Sequence, residues 1–371
     1  MVQTGSVITL AIVACIFFFT SSLSGSFLTV YYNKELGLSI PVIIEILLFT
    51  FPLIGLLPIV LLRNVKSFER ILSFGIFFTL LFYVILNLVR SPVILGLLYG
   101  LSQATFWPSY NLLQFRLAGS HTRARVVGLF TSIIPSLTGI AGPAVGGFII
   151  QNSGFGILFV TSAMLYVVSL VLSLRIHFQP EACKFSIPRT KTFAIFLGTF
   201  ILRGLSEAYW IAYPLFVLSV SGTVFNMGVV LTLSAVIVCA VTFLVNWVSD
   251  VKKTRVSFAV IGALLNASWF FVLPYVSTTY EIVALSLLSG LASAFSMSWF
   301  AHYGDSFSKE YYASILVLME TGLMIGRMGN LAPTYVFLGR ADYASYFNLL
   351  ALILLLSVPL YVATKREKWA S

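Results

Sequence analysis

The stretch Leu97-Leu98-Tyr99-Gly100-Leu101-Ser102-Gln103-Ala104 returns 190 residues later as Leu287-Leu288-Ser289-Gly290-Leu291-Ala292-Ser293-Ala294, with five identities in eight positions. The same offset, without a gap, pairs Thr131 with Thr321, Gly139 with Gly329 and Pro143 with Pro333. Apolar sequence matches itself easily, so no single pair carries weight. One fixed offset linking glycines and prolines across about 45 residues does carry weight, because it describes two copies of one structural unit. Duplicated halves of apolar helices are the sequence mark of proteins that bind a solute between the halves and rock about it.

Composition sets the medium. Of the 371 residues, 59% are hydrophobic and 9% charged, and mean hydropathy is +1.00. Soluble domains carry roughly 25% charged residues. Twelve apolar runs are legible, at 6–31, 41–62, 70–89, 92–114, 126–150, 155–176, 193–219, 224–247, 256–276, 281–303, 313–337 and 344–363. Each is long enough to cross ~30 Å of hydrocarbon as a helix rising 1.5 Å per residue. The expected fold is an all-α integral membrane protein, with twelve transmembrane helices in two pseudo-symmetric six-helix bundles. The first run has an uncharged flank and is too long for a signal-peptide core, so it is expected to be retained.

A net charge of +10 raises the question of nucleic acid, and the placement of the charges answers it. With the N-terminus in the cytoplasm, the inner loops hold Arg63, Lys66 and Arg70, then Arg116, Arg123 and Arg125, then Arg175, Lys184, Arg189 and Lys191. Lys252, Lys253, Arg255 and Lys309 follow, and the tail adds Lys365, Arg366 and Lys368. Only Lys34, Arg90 and Arg340 fall outside. This positive-inside bias accounts for the basic character without a polyanionic partner, and puts both termini in the cytoplasm of a plasma-membrane protein. Cys15, Cys183 and Cys239 are expected as free thiols, since two lie in apolar runs and one in a cytoplasmic loop.

The longest polar connection runs from His177 to Thr192, and contains Pro180 and Pro188. It divides the chain into a bundle at 1–176, a cytoplasmic linker at 177–192 and a second bundle at 193–371. In the fifth run, Gly139, Gly142, Pro143, Gly146 and Gly147 place small residues three and four apart, which lets a neighbouring helix approach closely, and Pro143 permits a bend. Between the eighth and ninth runs stands Asn246-Trp247-Val248-Ser249-Asp250-Val251-Lys252-Lys253-Thr254-Arg255, and Arg116 to Gly128 forms a basic loop after the fourth run.

These features resemble the major facilitator superfamily. Gly142-Pro143-Ala144-Val145-Gly146-Gly147 matches the core of its fifth-helix motif, G-P-x-x-G-G, which is commonest in proton-coupled exporters; plain small-residue packing is the alternative. The segment around Asp250 is similar to the signature G-x-x-x-D-(R/K)-x-G-R-R, with Asn246 in place of the leading Gly. The resemblance implies that Asp250 and Arg255 belong to a cytoplasmic latch. The equivalent first-half loop has Leu62 where the Asp belongs. The resemblance also implies alternating access and a central cavity lined by the first, fourth, seventh and tenth helices.

Five ionisable residues lie within the runs: Glu45, Arg203, Glu207, Glu320 and Arg327. Each costs roughly 2.5–3.5 kcal/mol at a helix centre on insertion scales, so each is expected to face a partner or a wet cavity. Arg203 and Glu207 are four apart, on one face of the seventh helix, with Arg203 expected to contact solute or to balance charge and Glu207 to carry a proton; a static intrahelical ion pair is the other reading. Glu320 and Arg327 are seven apart, two turns along one face, and Glu320 is a second proton-coupling candidate. Glu45 follows Pro41 near a helix start, where a carboxylate is favoured in its own right; paired with Arg327 it would instead form an outer gate between the halves.

The fourth run carries Gln103, Trp107, Tyr110, Asn111 and Gln114 at helical spacing, the seventh adds Trp210, and the tenth Ser293, Ser296 and Phe300. Aromatic area with amides and hydroxyls suits a small amphipathic organic solute. Gln103, Trp107, Asn111, Arg203, Trp210, Ser293 and Phe300 are the substrate-binding candidates. The sequence shows no metal cluster, phosphate loop or nucleophile triad, so no cofactor and no enzyme activity are expected. The expected partners are a small-molecule solute, protons and the lipid bilayer, with no nucleic acid, for a monomeric chain. Export of amphipathic compounds is one direction. Uptake of a small organic anion or sugar-like solute is the other, and a lipid-acting intramembrane enzyme or a non-transporting sensor are remoter alternatives.

Overall fold

The computed structural model describes residues 4–64, 67–117, 130, 134–178, 185–252, 255–307 and 311–364, and some side chains within these ranges, Asp250 among them, lie outside the description. Helix underlies every apolar run in its described part, and no strand occurs among the described residues. In chain order the helices are α1 (Thr4–Thr20), α2 (Leu28–Val30), α3 (Ile40–Asn64), α4 (Phe68–Leu86), α5 (Pro92–Leu117) and α6 (Ile134–Ser173). The second half holds α7 (Lys191–Leu205), α8 (Ala212–Ser221), α9 (Val224–Lys252), α10 (Arg255–Val272), α11 (Thr279–Asp305), α12 (Tyr312–Pro333) and α13 (Tyr343–Thr364). Nine helices among the described residues are long and apolar enough to cross a membrane.

Three departures from simple spans have local causes. The fifth and sixth runs join in α6, with Gly154 at φ 80° turning the chain between them, a conformation that costs a residue without Cβ nothing. The first run does not stay α-helical but passes through π-helical turns at Ser21–Gly25 and Tyr31–Glu35. The seventh run breaks after Leu205 and restarts at Ala212. Pro214 sits in the first turn of the restarted helix, where its missing N–H leaves no helical hydrogen bond unmade.

Helix starts are capped by the residues the chain supplies. Thr190 accepts from Phe193 N at α7, and Thr278 with Glu281 forms a reciprocal capping box at α11. Leu88, Met164 and Leu356 are each more than 60% exposed. Apolar surface of that kind belongs against lipid, since helices apolar all round are stable only in a core or a membrane.

The chain forms two compact units, Met1–Lys184 with Gly222–Thr232, and Phe185–Ser221 with Leu233–Ser371. In the first, α5 packs on α3 and α4, and α6 on α1 and α4. In the second, α7 packs on α12 and α13, and α10 on α11 and α13. Without a hydrophobic drive between helices in lipid, such contacts depend on close backbone approach and buried hydrogen bonds. Thr50 Oγ1 donating to the Gly96 carbonyl (3.1 Å) joins α3 to α5 in this way.

Candidate functional site

The second unit concentrates its charge where the seventh run breaks. On α7 and α12 the crossing point is made of glycine on both sides. A Cβ at Gly204 would collide with the Leu323 carbonyl, and one at Gly326 with the Ile201 carbonyl and the Leu205 amide. This approach sets Arg327, one residue past Gly326, beside the interrupted segment Ser206 to Ile211.

Arg327 Nε meets Glu207 Oε2 at 2.7 Å and its Nη2 meets Oε1 at 3.1 Å, a two-pronged pair that fixes both partners. Trp210 Nε1 donates to the same Glu207 Oε2 at 2.8 Å, and the Arg327 guanidinium carbon lies 5.5 Å from the Trp210 ring centre. Nη1 of Arg327 reaches Glu320 Oε2 at 3.4 Å. Side-chain exposures of 12% for Arg327, 19% for Glu207 and 18% for Glu320 leave the cluster largely withdrawn from the surface. One guanidinium faces two carboxylates.

The break itself is held from α12. Asn330 Nδ2 donates to two carbonyls that the unwound chain leaves without helical partners, Leu205 O and Glu207 O (3.2 Å to the latter). Its Oδ1 accepts from Tyr346 OH (2.7 Å) and Thr334 Oγ1 (2.8 Å). A buried amide with all these contacts is rigid, and so is the Glu207 backbone it grips. Sequence reading missed Asn330, Thr334 and Tyr346. The available signal was an amide inside an apolar run, four residues before a threonine.

The expected pairing of Arg203 with Glu207 on one helical face is corrected. The helix ends at Leu205 and the hydrogen-bonding partner of Glu207 comes from 120 residues away, while Arg203 acts on Glu207 only through its charge at longer range. Arg203 instead lies with its guanidinium carbon 5.1 Å from the Phe300 ring centre. Trp210 is likewise not on a continuing helix but in the link, folded onto Glu207. Glu320 and Arg327 do meet along one face of α12. Ser293 is half-buried on α11, and Glu45 is exposed on α3. Trp299 and Tyr303, on either side of Phe300 in the chain, are buried in the core of this unit, bonded to Thr199 and to the Ile315 carbonyl.

The first unit has a different chemistry. Gln103 Oε1 accepts from Trp107 Nε1 (2.8 Å), and its amide reaches Ser102. Ser102 and Thr79 are 2.7 Å apart, joining α5 to α4. Asn111 stands half-buried one turn beyond Trp107. Gly142 and Gly146 lie against Ser22, Leu23 and Phe27 of the first run, Gly147 lies against Val224 and Phe225 at the start of α9, and Gly139 is looser, with room for a Cβ 3.8 Å from Ser22 Oγ. Beside Pro143, the Ala144 amide donates to Thr232 Oγ1 (2.9 Å). Side chains at Asp250 and Gln114, and the loop Ala118–Leu129, lie outside the described residues, so the latch expected of Asp250 does too; Arg255 is half-buried at the start of α10.

Two helical units, each apolar outside, with ionisable groups withdrawn at a broken span, describe a multi-pass membrane protein. The family model of the Major Facilitator Superfamily matches residues 10–189, just under half of the chain. Over the whole chain the fold is similar to that of the nucleoside transporter NupG. An aspartate-to-alanine variant of it superposes with a TM-score of 0.74 at 14% identity, covering 97% of this chain and 99% of that one. The unaltered transporter gives 0.68 at 15% identity, covering 98% and 100%. Among curated proteins, the chain is 25% identical over 310 residues to the uncharacterized protein YqgE of Bacillus subtilis (strain 168), covering 71% of this chain and 70% of that one. It is 28% identical over 141 residues to an uncharacterized protein in the sodM 3'region of Geobacillus stearothermophilus, covering 35% and 64%.

Proposed function

We propose that the protein moves a small organic solute across the plasma membrane in exchange with, or together with, protons, by alternating access of its two halves, with both termini in the cytoplasm. The observation that carries this reading is the Glu207–Arg327–Glu320 cluster at the break between α7 and α8. Interrupted spans at mid-membrane supply free backbone groups and room for a ligand. Ionisable groups there are costly, and a cluster with one more carboxylate than guanidinium can accept a proton to reach neutrality. Solute entering the cluster competes for Arg327, which ties protonation to binding. The fifth-run glycine–proline motif favours export of an amphipathic compound.

A second reading is uptake of an organic anion or a sugar-like solute, nucleosides included. It is favoured by Arg203, which lies over Phe300 while Arg327 occupies Glu207, and by the fold it shares with a nucleoside transporter. Proteoliposomes loaded with a pH dye separate the two, using a panel of amphipathic cations, organic anions, sugars and nucleosides. A solute-triggered pH change that disappears in Glu207→Gln or Glu320→Gln supports proton coupling. An anion or nucleoside signal lost in Arg203→Gln selects the second reading, and labelled solute uptake without a pH change removes the proton from the mechanism.

A further inference from the structure

The two carboxylates around Arg327 are equally exposed, at 19% and 18%, yet they are held very differently. Glu207 accepts three hydrogen bonds at 2.7, 2.8 and 3.1 Å, two from Arg327 and one from Trp210. Its backbone carbonyl is gripped by Asn330, which Tyr346 and Thr334 hold in turn. Glu320 has a single contact among the described residues, from Arg327 at 3.4 Å. Charge-assisted hydrogen bonds at 2.7–2.9 Å stabilise an anion strongly, and one at 3.4 Å does so weakly.

From this geometry we propose that Glu320 is the group that gains and loses the proton, while Glu207 stays a fixed anion that keeps Arg327 in place. This deepens the proton-coupled reading above and rests on it. In the unprotonated state the cluster carries two negative charges and one positive. A proton arriving from water binds a Glu320 oxygen, the 3.4 Å contact is released, and the remaining Glu207–Arg327 pair is neutral. Loss of that proton to water on the other side restores the contact. Two carboxylates sharing one cation cannot both remain ionised cheaply in a low-dielectric site, and the proton goes to the one with fewer donors. Glu320 is thus the coupling group, and Glu207, Trp210 and Asn330 are positioning residues.

The other charged or titratable groups around the cluster do not offer a better carrier. Arg203 on α7 stays cationic at any working pH. Tyr209 stands in the link, Tyr346 on α13 is bonded to Asn330, Tyr361 on α13 lies in the core, and Tyr303 on α11 donates to the Ile315 carbonyl. His302 on α11 is 3.3 Å from Thr364, among the aromatic rings of Phe196 and Trp299.

The test needs no knowledge of the solute. Purified full-length protein in lipid nanodiscs is taken through a pH titration while infrared difference spectra record the carbonyl stretch of protonated carboxyl groups. We expect a pH-dependent band in the unaltered protein that Glu320→Gln removes and Glu207→Gln retains. Loss in Glu207→Gln with retention in Glu320→Gln overturns the proposal, as does loss in both, retention in both, or absence of a band from the unaltered protein. Should Glu320→Gln fail to give a monodisperse peak on size exclusion, Glu320→Asp decides instead. A band displaced in frequency supports the assignment, and an unchanged band refutes it. A positive infrared result with no solute-driven pH change would leave the assignment standing and remove only the transport coupling.

Discussion

The two units use the same means of packing, yet they differ in the polar groups they gather near their glycine crossings. In the first unit, α6 meets the first run through Gly142 and Gly146; in the second, α7 meets α12 through Gly204 and Gly326. In the first unit neutral groups are paired with one another or with carbonyls: Thr79 with Ser102, Ser173 with Ser73, Tyr110 with the Phe130 carbonyl. Behind the second crossing lie a guanidinium and two carboxylates. Neutral groups satisfied in pairs fix a shape, whereas an odd number of buried charges leaves a site that changes state when a proton or a solute arrives.

The strongest way to break this contrast is Arg327→Met. It strands two carboxylates in a withdrawn site, and removing one partner of such a pair costs about 3–5 kcal/mol. A large fall in the melting temperature of the detergent-purified protein and loss of transport are expected. A fall no greater than that from the first-half phenol variant below would show that the ions are not what distinguishes the halves.

Next in size are Gly146→Leu and Gly204→Leu, compared by the same thermal measurement. Each forces a side chain into a neighbouring backbone, and overpacking costs typically 1–3 kcal/mol. Similar losses in both would confirm a shared crossing, and tolerance in one half would separate the scaffolds. Smaller again is Tyr110→Phe, which deletes one buried hydrogen bond worth about 0.5–1.5 kcal/mol and should leave the pH profile of transport unchanged. A displaced profile would bring the first half into the coupling.

The smallest effect concerns Asp342, outside the spans, whose carboxylate accepts from the Ser345 amide at the start of α13 (3.0 Å). Hydrogen bonds from the Ser345 side chain and backbone hold it below its usual range. Because the folded state favours the anion, its contribution is present at neutral pH and lost as pH falls through that lowered value. The melting-temperature gap between the unaltered protein and Asp342→Ala should therefore narrow in acid. A gap constant with pH would assign the effect to helix propensity.

Much of this was legible along the chain because it depends on local order. Apolar run length marked the spans, and seven-residue spacing put Glu320 and Arg327 on one face, where the helix is continuous and they meet. The same reasoning failed for Arg203 and Glu207, because spacing by four presumes an unbroken helix. Gly204 and Pro214 flank the interruption and were the local warning. Asn330 went unread because its role is to satisfy carbonyls that exist as free groups only once the helix has opened.

The sequence by itself determined that the protein is built of membrane-spanning helices, since hydropathy needs no knowledge of contacts, and it singled out Glu207, Glu320 and Arg327 as charges that need partners there. Only the tertiary structure decided which cation Glu207 holds and which carboxylate is left with a single weak partner. The Glu207–Arg327 pairing, on which both outcomes depend, spans 120 residues. It is fixed by where two glycine-faced helices cross and where one of them breaks, which no periodicity along the chain encodes.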